Sequence, residues 1–222
     1  MNLLGVVVIL ALSSAAPPSP AGKSGSPGCA TANIETALKA VFERYPTAGA
    51  LELERDSREP LTPEFLTSAM KIRDVPNGYV TLEHRDLLEG YEAALFKNPG
   101  GYHLVIVSTG GSVSRMAVFR CDAQGLTQDD QALSISQEEA LKLYADAGLI
   151  GKKGVTEQHL KDWAGTLVQL SLPRKGRSIV IKAYVDEPAH LYGKKLGTVE
   201  YTDGRFVVQS AGKSKQASAP GK

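Results

Sequence analysis

The sequence is poor in cysteine, in histidine and in net charge, and each shortage excludes a class of protein. Its 222 residues include two cysteines, too few for a disulfide-rich scaffold or a structural zinc site. The four histidines (His84, His103, His159 and His190) all lie more than four residues apart, so the sequence contains no His-Glu-x-x-His or similar metal motif. The 25 basic and 24 acidic residues leave a net charge of +1, without the bulk basicity of a dedicated nucleic-acid-binding protein. We therefore expect no metal, no cofactor and no nucleic-acid partner.

Long hydrophobic runs are also scarce, and the longest spans residues 3–12 (LLGVVVILAL). A membrane-spanning helix needs about 20 apolar residues, so this run is too short to anchor the chain. Because small residues follow at 13–16, the run is typical of a secretory signal peptide cleaved after Ala15, although no Lys or Arg precedes it. The β-branched residues VVVI would also suit a buried N-terminal strand. We favour export, to the periplasm or to the exterior of the cell.

Segments rich in Pro, Gly, Ser or Ala predict flexible ends on both sides of a folded region. Residues 17–28 (PPSPAGKSGSPG) and 211–222 (AGKSKQASAPGK) offer almost nothing apolar to bury. The predicted organisation is a signal peptide at 1–15, a tether at 16–28, a helix with a first meander at 29–130, helices with a second meander at 131–210, and a flexible tail at 211–222.

The two cysteines, Cys29 and Cys121, predict one disulfide in an exported chain. The bond would tie the start of the folded region to its middle, and the chain-entropy model gives a loop of this length about 4–5 kcal/mol of stabilisation. The alternative is a lipoprotein acylated at Cys29, for which Gly28 supplies the small preceding residue. Three residues before Cys29 stands Ser26 instead of the aliphatic residue expected there, and we therefore prefer the disulfide.

The first half of the folded region predicts two helices followed by a four-stranded antiparallel meander. Residues 31–45 carry apolar side chains at the i, i+3, i+4, i+7 spacing of an amphipathic helix, with Thr31 or Asn33 as its cap. Thr62 and Pro63 open a second short helix that runs through Met70. Strands are predicted at 79–85, 91–96, 102–108 and 113–121. Their connections are too short for parallel crossovers, so neighbouring strands must be antiparallel.

The second half repeats this order of helices and then strands. Ser136 and Glu139 form a capping box that opens a helix through Ala147, and Thr156 starts a short helix to Trp163. Strands are predicted at 167–172, 179–185, 196–201 and 206–209, and the turn at 202–205 (TDGR) joins the last two as a hairpin. The chain is therefore predicted to be α+β, with two antiparallel meanders of about four strands each, arranged either as one sheet with helices on a face or as two small lobes.

Charge is divided unevenly between the two parts of the chain. Residues 1–150 hold 12 Lys and Arg against 18 Asp and Glu, a balance of −6, whereas residues 151–222 hold 13 against 6, a balance of +7. The favoured interpretation is that the two parts attract each other across an interface. The alternative is a basic surface that attracts an anionic partner. Its centres would lie in three predicted loops, at Lys152 and Lys153, at 174–177 and at 194–195. The residues expected to bind the partner come from the last two loops: Arg174, Lys175, Arg177, Lys194 and Lys195.

Three tyrosines, Tyr79, Tyr91 and Tyr102, begin successive strands of the first meander. As cross-strand neighbours they would form a patch of ring faces at one sheet edge, suited to a protein or saccharide partner. Packing at the strand ends is the favoured alternative.

Two histidines lie in the first meander and are the strongest candidates for a catalytic base. By strand parity, His84 shares a face with Leu82, and His103 shares a face with Val105, which favours ordinary sheet histidines. The tightest cluster of possible metal ligands is a loop around Pro188, and its members are Asp186, Glu187 and His190. Such clusters arise readily by chance, and we do not assign a metal to it.

These observations favour an exported, non-catalytic binding module that engages a protein or an anionic component of the cell envelope. Its binding residues would be the basic loop residues and the tyrosines named above. The alternative is a secreted hydrolase, with His84 or His103 as its base or with the loop at 186–190 as a metal site.

Overall fold

The computed structural model describes residues 29–45, 62–83, 90–108, 114–151, 155–163, 165–185 and 187–212. The expected signal peptide and tether, and nearly all of the expected tail, lie outside these ranges. The described residues form two antiparallel β-sheets with a few short helices, which confirms the α+β fold class and its two meanders. None of the described helices is long and apolar enough to cross a membrane.

The first sheet is a six-stranded meander in which each strand pairs with the next along the chain. Its strands are β1 (Met70–Asp74), β2 (Tyr79–Leu82), β3 (Tyr91–Asn98), β4 (Gly101–Ser108), β5 (Met116–Asp122) and β6 (Gly125–Gln128). The four predicted strands are β2 to β5, and β1 and β6 are added at the two edges. A register shift between Met70 and Ile72 interrupts β1, and β6 has only one buried apolar residue, Leu126. Residues 70–73 (MKIR) alternate, but only over four positions directly after a helix that was predicted to run through Met70, whereas β6 has no alternation from which a strand is predicted.

The second sheet is a four-stranded meander with the strand order β10-β9-β8-β7. Its strands are β7 (Val168–Ser171), β8 (Ser178–Ala183), β9 (Lys195–Thr202) and β10 (Arg205–Ser210), at the predicted places. The last two are joined by a two-residue turn at Asp203 and Gly204, whose φ angles of 52° and 78° are both positive, as a type I′ turn requires.

The helices begin at the predicted caps: α1 (Ile34–Arg44), α2 (Pro63–Ala69), α3 (Gln137–Asp146) and α4 (Glu157–Asp162). Asn33 caps α1, and its side chain accepts a hydrogen bond of 3.0 Å from a backbone N–H of the first turn. At α3 the backbone N–H of Glu139 donates to Ser136 Oγ at 3.2 Å, and the backbone N–H of Ser136 donates to Glu139 Oε2 at 2.9 Å. Thr62 and Thr156 cap α2 and α4 through their hydroxyls.

A separate hydrophobic core lies on each face of the first sheet. All eight residues of β4 are buried, as expected of a central strand without a solvent-exposed face. One core packs alternate residues of this sheet, such as Phe119, against Leu38 and Phe42 of α1 and against α2. The other core packs the opposite face, including Phe96, against the second sheet, α3 and α4. The chain thus forms two sheets that share a core rather than one continuous sheet.

The predicted disulfide between Cys29 and Cys121 is present, with the two Cα atoms 5.6 Å apart. Cys29 begins a short 3-10 turn just before α1, and Cys121 lies near the end of β5. Both cysteines belong to the core beneath α1 and α2. The bond therefore fastens the start of α1 to the helix-covered face of the first sheet.

Candidate binding sites

The two arginines of the basic loop at 174–177 contact the first sheet. The Nε of Arg174 donates to Asp74 Oδ2 at 2.7 Å, and this hydrogen bond holds the pKa of the Asp74 carboxyl below its usual range. Arg177 donates to the backbone carbonyl of Lys97 at 3.3 Å, and its guanidinium carbon lies 5.9 Å from the centre of the Tyr201 ring. These contacts join the basic part of the chain to the acidic part, as the favoured interpretation of the charge division expects.

The remaining predicted lysines lie at different places on the second sheet. Lys175 is exposed at the tip of the basic loop, whereas Lys194 and Lys195 are exposed at the start of β9. The basic loop is held at the other end of β9, where the Tyr201 backbone N–H donates to the Arg177 carbonyl at 3.0 Å. At roughly 3.3 Å per strand residue, the two basic groups are about 20 Å apart. They do not form one continuous surface.

The three tyrosines are placed in the cores. Tyr79, Tyr91 and Tyr102 are 6%, 1% and 1% exposed. Tyr79 belongs to the core between the sheets, whereas Tyr91 and Tyr102 belong to the core beneath α1 and α2. Their rings therefore lie on opposite faces of the first sheet and do not form the expected surface patch. Packing at the strand ends, the favoured alternative, accounts for all three.

The possible metal loop and one of the two sheet histidines fall partly outside the described residues. Asp186 and His84 lie outside them, and Glu187 and His190 are exposed. Among the residues that the structure describes, no group of three or more His, Cys, Asp or Glu side chains is placed to hold a metal ion.

His103 takes part in a buried hydrogen-bond network that joins the two sheets. As predicted from strand parity, it shares its face with Val105, and it is 5% exposed. Its Nδ1 lies 3.0 Å from the hydroxyl of Tyr201 on β9, and the same hydroxyl accepts a hydrogen bond of 3.0 Å from Asn98 Nδ2. Burial lowers the pKa of His103 and raises the pKa of Tyr201, so both side chains are neutral at pH 7.

This network lies at the bottom of a cleft of about 480 Å³ at one end of the two sheets. We call it the inter-sheet cleft. It opens where the β3–β4 turn, the ends of β5 and β6 and the β9–β10 turn meet, and its polar and aromatic lining includes Asn98, His103, Arg120, Asp122, Asp129, Arg205 and Phe206. The Nε of Arg120 lies 3.4 Å from Asp122 Oδ2 and 3.7 Å from Asp129 Oδ2. The two carboxylates thus hold one guanidinium between them.

A second concavity, of about 630 Å³, lies between α3 and the strands β9 and β10. We call it the α3 groove. Lys142, Leu143 and Asp146 of α3 line one side, and Lys195, Val208 and Ser210 line the other. Of the five basic residues expected to bind a partner, Lys195 is the one that lines this groove. The Oγ of Ser210 is buried and has no hydrogen-bond partner among the described residues.

The α3 groove lies beside the free edge of β10. Because the two-residue turn makes Thr202 and Arg205 a hydrogen-bonded pair, such pairs alternate along the hairpin from there. The main-chain N–H and C=O groups of Phe206, Val208 and Ser210 therefore point away from β9. Within the described ranges no strand pairs with this edge.

Neither concavity was predicted from the sequence. Asn98 and His103 are 103 and 98 residues from Tyr201, and no local pattern relates positions so far apart. The α3 groove has one local signal, the three consecutive apolar residues Phe206, Val207 and Val208 in a terminal strand. A strand with one solvent-exposed face usually alternates polar and apolar residues, so three apolar residues in a row place one of them on the exposed face. This residue is Val207, which is 48% exposed.

Comparisons of the chain with protein-family models, with curated proteins and with solved structures give no match. The two concavities are therefore the features of this chain that bear on its function.

Proposed function

We propose that this protein is an exported binding module and that its partner is another protein, which adds an extended segment as a strand along β10. The observation that carries the proposal is the free edge of β10 lying directly beside the α3 groove. A peptide that joins a sheet edge gains affinity from main-chain hydrogen bonds and specificity from pockets for alternate side chains. Here the edge of β10 offers the main-chain hydrogen bonds, and the α3 groove offers a pocket for side chains.

The groups on the edge fit an added strand. The outward-pointing N–H and C=O groups of Phe206, Val208 and Ser210 recur at every second residue, the spacing that a paired strand needs. Such an unpaired edge is a template for strand addition, which proteins commonly block with proline, charge or a covering loop. The β10 sequence RFVVQS has no proline, and its one charged residue, Arg205, stands at the turn end.

The groove fits alternate side chains of the added strand. Its volume of about 630 Å³ lies within the range of ligand pockets, and Leu143 and Val208 supply apolar contacts. Lys195 is exposed on the wall formed by β9 and makes no ion pair with any described residue, so it is available to an acidic side chain. We therefore expect a partner segment with an apolar residue entering the groove and an acidic residue nearby.

Export is supported by the apolar run at 3–12 and by the disulfide, because stable disulfides form mainly in oxidising compartments. Fractionation of cells that express the full chain, followed by mass measurement under non-reducing conditions, tests this part of the proposal. We expect the disulfide-bonded, shortened chain outside the cytoplasm. A full-length, reduced chain in the cytoplasmic fraction would contradict export.

A random 12-residue peptide library displayed on phage tests the docking site. We expect selected peptides to share an apolar and an acidic position and to bind the full chain with a dissociation constant in the micromolar range. Val208→Pro removes an N–H that points to the free edge without breaking a hydrogen bond to β9, and we expect it to weaken binding at least tenfold. Lys195→Glu should weaken the same peptides by a smaller factor.

The matched control is Val207→Thr, which changes the exposed valine on the opposite face and keeps the outward main-chain groups. We expect it to bind like the native chain. If Val207→Thr loses binding and Val208→Pro keeps it, the peptides recognise the exposed apolar side chain and the strand-addition proposal is wrong. Failure to select any peptide would also count against it.

A further inference from the structure

The inter-sheet cleft has the chemistry of a small-molecule site that is separate from the β10 edge. Its volume of about 480 Å³ suits a ligand of one or two sugar rings, and it is lined by side chains from both sheets. Three features define it: a hydrogen-bond network at the bottom, a charged wall, and an aromatic ring on the hairpin.

The network at the bottom leaves a hydrogen-bond donor of His103 unused. Asn98 uses its Oδ1 to accept from the Gly100 N–H at 2.9 Å and its Nδ2 to donate to Tyr201 at 3.0 Å. The single proton of the Tyr201 hydroxyl is then donated to His103 Nδ1, and this pattern assigns the proton of the neutral ring to Nε2. His103 lines the cleft, and its one hydrogen bond to a described residue is made through Nδ1, which leaves the Nε2–H for a ligand.

The charged wall presents donors and acceptors side by side. Arg120 stands between Asp122 and Asp129, and its Nε is shielded from solvent without a well-aligned hydrogen bond to either. Arg205, an exposed cation, lines the hairpin side of the cleft. Two arginines, two aspartates and a neutral histidine give the cleft no net charge.

This arrangement favours a neutral ligand with several hydroxyl groups over a single ion. An anion would meet Asp122 and Asp129, and a cation would meet Arg120 and Arg205, so either would lie against a like charge. Adjacent hydroxyls can each donate to a carboxylate and accept from a guanidinium, and hydrogen bonds to charged groups are the stronger ones.

The hairpin adds an apolar surface. Phe206 is partly exposed on the cleft and is held edge-on by Phe96, with the ring centres 5.4 Å apart. Its ring also packs edge-on against His103 at 5.5 Å. A rigid aromatic ring beside polar groups suits a ligand with one apolar C–H face and a polar edge, as a pyranose ring has.

We propose that the inter-sheet cleft binds a neutral saccharide, whose hydroxyls contact Arg120, Asp122 and Asp129 and whose apolar face packs on Phe206. The site shares no residue with the docking contacts proposed along the α3 groove except Phe206, which contributes only main-chain groups there. Either proposal can therefore fail while the other holds.

An array of neutral and acidic glycans, probed with the full disulfide-bonded chain, tests the proposal. We expect retention on one or more neutral glycans, and the free oligosaccharide of the strongest one should shift the amide resonances around His103 and Arg120 in an NMR titration. Asp129→Asn keeps the shape of the wall and removes one acceptor charge, and it should weaken binding at least tenfold. Asp122→Asn is a second variant for the case in which Asp129→Asn does not fold.

The matched control is Asp130→Asn, which neutralises the neighbouring carboxylate outside the cleft, where it accepts hydrogen bonds from Gln128. It should bind like the native chain. Retention on no neutral glycan overturns the proposal, as does equal weakening by Asp129→Asn and Asp130→Asn. Resonance shifts near His103 with glycine or inorganic phosphate but with no saccharide would also overturn it and would assign the cleft to small charged ligands.

Discussion

The hydroxyl group of Tyr201 links the two sheets inside the buried core. Tyr201 is 2% exposed, and its hydroxyl contacts Asn98 and His103, both from the first sheet. Buried polar groups of this kind contribute little when paired but are costly when one partner is removed. The network therefore fixes how β9 lies on β3 and β4, because a shift of either sheet would leave polar atoms without partners.

Tyr201→Phe tests this link. The substitution keeps the ring and its packing but removes the partner of Asn98 Nδ2 and His103 Nδ1, so we expect the free energy of unfolding to fall by about 1–3 kcal/mol. Urea unfolding followed by circular dichroism at pH 7 measures it. Tyr192→Phe removes the hydroxyl of a tyrosine that is 51% exposed, and it should change stability by less than about 0.5 kcal/mol. Equal effects of the two variants would show that the network does not stabilise the fold.

The buried imidazole also makes stability depend on pH. Because burial lowers the pKa of His103 below its usual 6.5, the unfolded chain binds a proton more readily than the folded chain does. The contribution of neutral His103 is therefore complete above about pH 6.5 and is lost as the pH falls toward the lower pKa of the folded state. Asp129, Asp122 and Arg120 also act on the ring, but desolvation is the largest cause.

The difference in unfolding free energy between the native chain and His103→Gln isolates this effect. Titrated from pH 7.5 to pH 4.5, the native chain should lose more stability than the variant below pH 6.5. If instead the native chain gains stability relative to the variant on acidification, the two carboxylates dominate and His103 is protonated in the fold.

At the scale of helices and strands, local signals in the sequence predicted the helix caps and the hairpin turn, which depend on contacts between residues close together in the chain. The cap Ser136 was readable, and the cap of α1 was narrowed to Thr31 or Asn33, because a cap bonds to a backbone group only a few residues away; Asn33 is the cap in the structure. The hairpin turn at Asp203 and Gly204 was readable for the same reason. Strands β1 and β6 were not predicted. Residues 70–73 of β1 alternate, but the preceding helix was predicted to include Met70, and β6 has Leu126 as its one apolar residue, so it is held mainly by pairing with β5.

Gly197 on β9 shows how one element depends on another. A Cβ at this position would lie 2.3 Å from the carbonyl oxygen of Gln209 on β10 and 3.2 Å from Leu143 Cδ2 on α3. We expect Gly197→Ala to displace β10 or α3 and to lower the free energy of unfolding by about 1–3 kcal/mol. Gly100→Ala is the control, since its Cβ would meet nothing closer than 3.5 Å. Thermal unfolding of both variants tests this close approach. Equal transition temperatures for Gly197→Ala and Gly100→Ala would contradict it.

At the scale of the whole molecule, both candidate sites are products of the tertiary structure. Strand parity predicted the face that His103 occupies, but the partners Asn98 and Tyr201 and the wall of Arg120 with its two aspartates come together only when the sheets pack. The basic loop is the reverse case. Arg174 and Arg177 were readable as a charged cluster, but the sequence does not show that Arg174 donates to Asp74 and Arg177 to the Lys97 carbonyl.

The disulfide acts on the whole chain because its two cysteines are 92 residues apart. Closing a loop of this length in the unfolded chain predicts that Cys29→Ser with Cys121→Ser lowers the free energy of unfolding by about 4–5 kcal/mol. Urea unfolding of the double variant measures the loss, and reduction of the native chain should reproduce it. A loss below about 1 kcal/mol would mean that the unfolded chain is already compact around these positions.

Among the described residues, an ion pair between Asp74 and Arg174 joins the acidic and the basic part of the chain. The carboxylate is largely buried and the guanidinium largely exposed, with side-chain exposures of 10% and 61%. Asp74→Asn should reduce stability at pH 6, and a double-mutant cycle with Arg174→Gln should show that the two substitutions are not additive.

Because the Arg174 hydrogen bond lowers the pKa of Asp74 from its usual 3.8, this stabilisation is present above pH 3.8 and is lost as the pH falls through the lower pKa of the folded state. The gap between the native chain and Asp74→Asn should therefore close in strong acid and narrow in high salt, which screens the exposed arginine. Additive effects, or a gap that persists at low pH, would show that the two parts of the chain are held together by the shared core and not by their opposite charges.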